Sequence, residues 1–194
     1  NELYTLANYG REEPATSVAV FPEMQSIWYW SNSDYFNDDN GTWFVNFRYG
    51  KIYWTLKTNS MLVRCVRGTE IMDSMNFTEK DVGGEKIYTD ERTGLQWASK
   101  KSTKNWKGAL EYCESLDWAG CTDWRLPNIM ELRTLINWNA YSPASSLPEM
   151  NTSSWFWTST TNVNDNTKAW YVFSATGSSE YTEKTNSRLV ICVR

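Results

Sequence analysis

The chain is 194 residues long, enough for one large domain or two small ones, with a net charge of −4 and a pI near 5.0. No basic run offers an electrostatic footprint for nucleic acid or an anionic membrane, and no apolar stretch approaches the length of a spanning helix, which excludes nucleic-acid binding and membrane insertion as expected roles. Twelve Trp and eleven Tyr sit in a chain of mean hydropathy −0.59 that has no His, so cores built from few large rings are expected and most hydrolytic or metal-hydroxide chemistry is disfavoured.

In chain order, "NELYTLANYG" reads as a helix already under way at residue 1. With no initiating Met, the sequence is expected to be a piece of something longer, any export signal lying upstream. "WYWSNS" (28–33) and "TWFVNF" (42–47) read as strands. In the second, Trp43, Val45 and Phe47 alternate with Phe44 and Asn46. "LVRCVR" (62–67) closes this part, and the polar stretch 68–82 reads as a junction. "KIYTDERTGLQWA" follows as two short strands around a turn. In "NWKGALEYCESL" Trp106, Ala109, Leu110, Cys113 and Leu116 fall on one helical face. "TDWRLPNIMEL" supplies Asn128 and, three residues on, Glu131, a capping box that opens a second helix. Trp124, Arg125, Leu126 and Pro127 ahead of it read as structural, with Arg125 expected to pair with a carboxylate or carbonyls. Further strands end on "LVICVR", where Val190, Cys192 and Arg194 share a face.

This order contains a duplication. "WYWSNS" at 28 matches "WFWTST" at 155, "WFVNF" at 43 matches "WYVFS" at 170, Gly50 matches Gly177 and Cys65 matches Cys192, all at an offset of 127 residues. "FPEM" matches "LPEM" with a slip of one, and "ELYTLANY" at 2 matches "ELRTLINW" at 131. The expected organisation is therefore an incomplete first repeat at 1–67 whose front is missing, a junction at 68–82 and a complete second repeat at 83–194. Each unit is expected to be α+β, two helices packed on five or six short, mostly antiparallel strands.

Four cysteines with no C-x-x-C pair make a zinc site improbable and favour disulfides, hence an oxidising compartment. Cys113 has two candidate partners, Cys192 and Cys121. Cys65, expected on the inward face of its strand, would need a helix cysteine that lies before residue 1.

"TGLQWA", "ALEYCESL", "AGCTDWRLPNIMELRTLI", "SSWFWTST", "AWYVF" and "RLVICVR", in this order, resemble the C-terminal domain family of the Lcl collagen-like adhesin. The resemblance covers 83–194 and, from the "EL" helix onward, 1–67. It implies C-type-lectin-like domains in tandem, related to formylglycine-generating enzymes and to hypervariable ligand-binding proteins. It further implies a bacterial secreted or cell-surface location, adhesion through sulfated glycans in the founding member, and a disulfide between helix and last strand, which supports Cys113 with Cys192. The cysteines sit in regular core elements rather than a cleft, so no enzyme activity is expected.

Ligand contacts are expected in loops that differ between the copies. Tyr35, Asp38, Asp39, Tyr53 and Trp54 in the first, and Asn164, Asp165 and Tyr181 in the second, combine rings for sugar CH faces with polar partners for hydroxyls. The competing reading makes Asn40-Gly41 a hairpin turn and the rings core. Asp38, Asp39 and Asn40 place oxygen ligands in one loop, which makes calcium the one cofactor to consider, although the spacing fits no known calcium loop. The expected function is a non-enzymatic surface module binding glycan or protein ligands. The alternative is a structural subunit of a surface fibre or array, self-assembling with neighbouring repeats or completed by upstream residues.

Overall fold

The computed structural model describes residues 2–68, 76–138, 140, 142 and 144–194. Ten strands form one sheet: β1 (Trp28–Asp34), β2 (Gly41–Asn46), β3 (Lys51–Leu56), β4 (Phe77–Val82), β5 (Glu85–Asp90), β6 (Gln96–Lys104), β7 (Trp155–Thr161), β8 (Lys168–Phe173), β9 (Ser179–Glu183) and β10 (Arg188–Val193). Their order is β1-β2-β3-β9-β8-β7-β10-β6-β5-β4, antiparallel throughout except where β10 runs parallel to β7. The helices are short: α1 (Trp106–Glu114), α2 (Ile129–Arg133), and 3-10 turns at Glu2–Leu6 and Pro148–Met150.

This corrects the expected fold class. The molecule is a β-rich fold on a mixed ten-stranded sheet, not α+β lectin-like domains of two helices on strands. Two physical reasons account for the difference. The capping box at Asn128 and Glu131 starts α2 as expected, but the helix ends at Thr134, whose hydroxyl bonds back to the Glu131 carbonyl at 2.7 Å, and the chain turns into a bridge at Ile136. The matching stretch at residues 2–6 makes only a 3-10 turn. Meanwhile the strands of the two repeats do not stay apart: β3 and β9 would be exposed edges, and they pair with each other. Part of the expected junction is also strand, since 77–82 pairs with β5 over its whole length, while 69–75 lie outside the described residues.

The β3–β9 pairing has a symmetry visible in residue numbers. Ile52 lies opposite Ser179, its own counterpart in the repeat, so a local twofold axis passes between them. Equivalent contacts then occur in reciprocal pairs. Tyr9 of the first half packs edge-on against Trp170 of the second at 5.0 Å, and Trp138, the counterpart of Tyr9, packs edge-on against Trp43, the counterpart of Trp170, at 5.2 Å. One core cluster spans both halves on this face, joining Trp43, Val45 and Phe47 to Leu132, Trp170 and Val172.

The other face carries α1, which packs on β6, β7 and β10. Its buried Ala109 and Cys113 meet Ala98, Trp157, Val190 and Cys192, and Cys113 is disulfide-bonded to Cys192. Cys121 is half-buried and outside that bond. Arg125 pairs both of its terminal nitrogens with the Glu131 carboxylate at 2.6 and 2.7 Å. That carboxylate also accepts the Asn128 N–H, and although burial opposes its charge, these bonds hold its pKa below the ordinary range. Asn128→Ala is expected to cost about 1 kcal/mol, read from urea denaturation. An unchanged midpoint would show that packing alone holds α2.

Candidate functional site

The sequence-predicted ligand residues fall in three places. The first is the far end of the first half, where Tyr35–Asn40 connects β1 to β2. Here the Gly41 N–H donates to the Asp38 carbonyl at 2.8 Å, and the Asn40 N–H to the Asp38 carboxylate at 2.9 Å. The corner is therefore Asp39-Asn40, one residue ahead of the Asn40-Gly41 turn expected from the sequence, and Gly41 opens β2. A Cβ at Gly41 would lie 3.1 Å from the Tyr35 Cβ and 3.3 Å from the Trp54 ring, so a side chain there would crowd the ring pair.

Across that glycine Tyr35 and Trp54 stack face to face, 4.3 Å apart and 7° from parallel. Tyr35 is buried and also meets the edge of Trp43, whereas Trp54 is 41% exposed. Thus the reading of the rings as core holds for Tyr35 and fails for Trp54. Lys57 bonds the Asp34 carboxylate at 2.8 Å and the Asp39 carbonyl at 2.9 Å, which ties the rim of this surface to the loop. Phe36 adds a ring that is 64% exposed and Leu56 an exposed aliphatic side chain. Among the described residues no group of three or more His, Cys, Asp or Glu is placed to hold a metal, and the Asp38 carboxylate already serves its own turn.

The second place is the β3–β9 junction, which takes in Tyr53 and Tyr181. The Tyr53 hydroxyl donates to Glu180 at 2.6 Å, and Lys51 pairs with the same carboxylate while lying 4.2 Å over the Tyr181 ring. Burial, then the bond to Glu180, pushes the Tyr53 hydroxyl far above its ordinary pKa. Tyr181 meets Trp170 edge-on at 5.2 Å. Both tyrosines are therefore engaged in joining the halves.

The third place is the turn 162–168. Asn162 accepts the N–H groups of Asn164 and Asp165, and the amides of Asn162 and Asn164 donate to Glu12 of the first half at 3.1 and 2.5 Å. Asp165 pairs with Lys168 at 2.8 Å, and bonds from Lys168 and Thr167 bring its carboxyl down to about 2. Because β3 and β9 run antiparallel through the twofold axis, this turn and the Tyr35–Asn40 loop lie at opposite ends of the sheet. No single surface gathers all eight residues.

Three features went unread in the sequence. Trp28 and Trp155, first residues of the matching W-x-W strands, are each about half exposed (49% and 48%), and Arg188 lies 5.1 Å over the Trp155 ring. Their position at the strand start was the available signal. Arg133 is fully buried, bonded to the Ser179 hydroxyl and 5.0 Å from the Tyr9 ring, and burial lowers its pKa to about 9. Its repeat counterpart is Tyr4, so the mismatch at that position marked it.

No helix among the described residues is long and apolar enough to cross a membrane. No curated protein matches the chain. The family model of the Lcl C-terminal domain matches residues 1–67 and 86–194, two segments that leave out little besides the stretch between the halves. The chain therefore belongs to the Lcl C-terminal domain family, a membership that suggests a surface-associated or extracellular module.

Proposed function

We propose that this chain is a non-enzymatic surface module that binds glycan through the Tyr35–Trp54 end of its first half. The observation that carries the reading is the half-open Trp54 ring, held flat by Tyr35 and rimmed by Asp34, Asp39 and Lys57. An immobilised ring offers a stacking face for sugar CH groups at little entropic cost, and the rim supplies acceptors and one ammonium for hydroxyls. The acidic rim on a chain of net charge −4 favours neutral or amino-bearing sugars over sulfated ones.

A glycan panel carrying neutral, amino-bearing and sulfated members, followed by calorimetric titration, tests this. Saturable binding to the first two classes is expected, with Trp54→Ala weakening it about tenfold, or about 1.4 kcal/mol, when titrated well below the melting temperature of the variant, which loses the stack on Tyr35. Binding confined to sulfated members, or equal binding by the variant, would overturn the assignment.

A further inference from the structure

Residues 61–67, the counterpart of β10, lie at the edge of the sheet. Leu62 bridges Tyr29 in parallel just as Leu189 bridges Phe156, so the first half has begun to build the same structure. There the likeness stops. In the second half β10 is held between β7 and β6, and Val190, Cys192 and Val193 have no exposure. Their counterparts are open: Val63 is 69% exposed, Val66 74%, and Cys65 is an exposed thiol. The inward face expected for Cys65 is present in register but uncovered.

A cavity of about 620 Å³ opens beside this segment, lined by Leu3, Leu6, Phe21, Trp30, Cys65 and Val66 among others. The second half shows what occupies the equivalent space. Trp157, the counterpart of Trp30, is fully buried and donates its ring N–H to the Lys104 carbonyl on β6 at 3.1 Å. The counterpart of Ser31 is Thr158, whose carbonyl accepts the Trp106 ring N–H from α1 at 2.8 Å. Cys192, matching Cys65, bonds Cys113 on α1. Trp30, Ser31 and Cys65 thus each have a counterpart that bonds β6 or α1.

We propose that this edge docks one further front unit of the same repeat type, joined to the polypeptide ahead of residue 2. Its strand adds to 61–67 as β6 adds to β10, and its amphipathic helix covers Trp30 and sets a cysteine against Cys65. The entry point follows from the template: residues 2–6 match 131–135, which the second half reaches from its own strand and helix through Asn128. The inference is independent of glycan binding at the opposite end of β2.

The register sets the design of the test. Ile191 pairs with Lys101, and the counterpart of Ile191 is Arg64, so a front unit facing Arg64 should carry an acid at position 101. A second copy of residues 85–129, with K101E in that copy only, is placed ahead of residue 1. The chain is equilibrated in glutathione buffer, where two thiols pass two electrons and two protons to one oxidised glutathione, and labelled with iodoacetamide. Disulfide mapping is expected to join Cys65 to the added copy of Cys113, with Cys65 labelling about 100-fold slower than in the unextended chain. In parallel, the unextended chain is mixed with the same unit as a separate polypeptide; a one-to-one adduct at Cys65 is expected, absent with a scrambled unit.

A folded extended chain, its Cys113–Cys192 bond intact, that still labels at Cys65 as fast as the unextended one would overturn the proposal. If the extended chain does not fold, absence of the adduct in the mixture does the same. A Cys65-to-Cys65 dimer of the unextended chain would show that a second copy, not a front unit, seats on this edge.

Discussion

Replacing Cys113 and Cys192 together with alanine is expected to lower the unfolding free energy by about 4 kcal/mol. The bond closes a loop across a sequence separation of 79, for which chain-entropy arithmetic gives roughly that value. Both sulfurs are fully buried in the cluster with Ala98, Ala109 and Val190, so the pair also supplies packing between α1 and the sheet. Guanidinium denaturation with and without reductant reads the effect. Reduction should reproduce most of it, and Cys121→Ala, a half-buried thiol outside the bond, should cost under about 1 kcal/mol. A double variant within about 1 kcal/mol of the parent would mean that α1 stays on the sheet by burial alone.

Trp170→Ala is expected to cost about 3–5 kcal/mol, because the ring is only 2% exposed and its loss leaves a cavity where the halves meet. Tyr9 approaches it from the first half at 5.0 Å and Tyr181 from β9 at 5.2 Å. A double-mutant cycle with Tyr9→Ala should therefore return a coupling of about 0.5–1.5 kcal/mol. With one core cluster spanning both halves, the denaturation curves are expected to be single transitions in the parent. A loss below about 1.5 kcal/mol with no coupling would show that the core does not run through these rings.

Much of the local structure was readable in advance. The capping box at Asn128 and Glu131 and the ion pair of Arg125 follow from side-chain chemistry within a few residues, which sequence spacing reports directly. The apolar face of α1 was equally legible, since Ala109 and Cys113 are both buried. The candidate site was less so. Tyr35 and Trp54 were named for their chemistry, but nothing in the spacing says that one ring is buried and the other open. Tyr53 and Tyr181, named for the same chemistry, instead serve the β3–β9 junction, and Asn164 and Asp165 serve a turn anchored to Glu12. Residue type alone does not distinguish a ring that binds from one that holds.

The repeat, its offset, the strand and helix seeds and the family they mark can be read from residue order, because these depend on periodicity and short-range chemistry. That the two repeats share one sheet, that Ile52 meets its own counterpart Ser179, and that the segment around Cys65 lies open while the same segment around Cys192 is buried emerge only in the folded chain. The reason is physical. Strand pairing and burial are set by which edges remain unpaired after each unit has folded, and that is a property of the assembled sheet rather than of any stretch of chain.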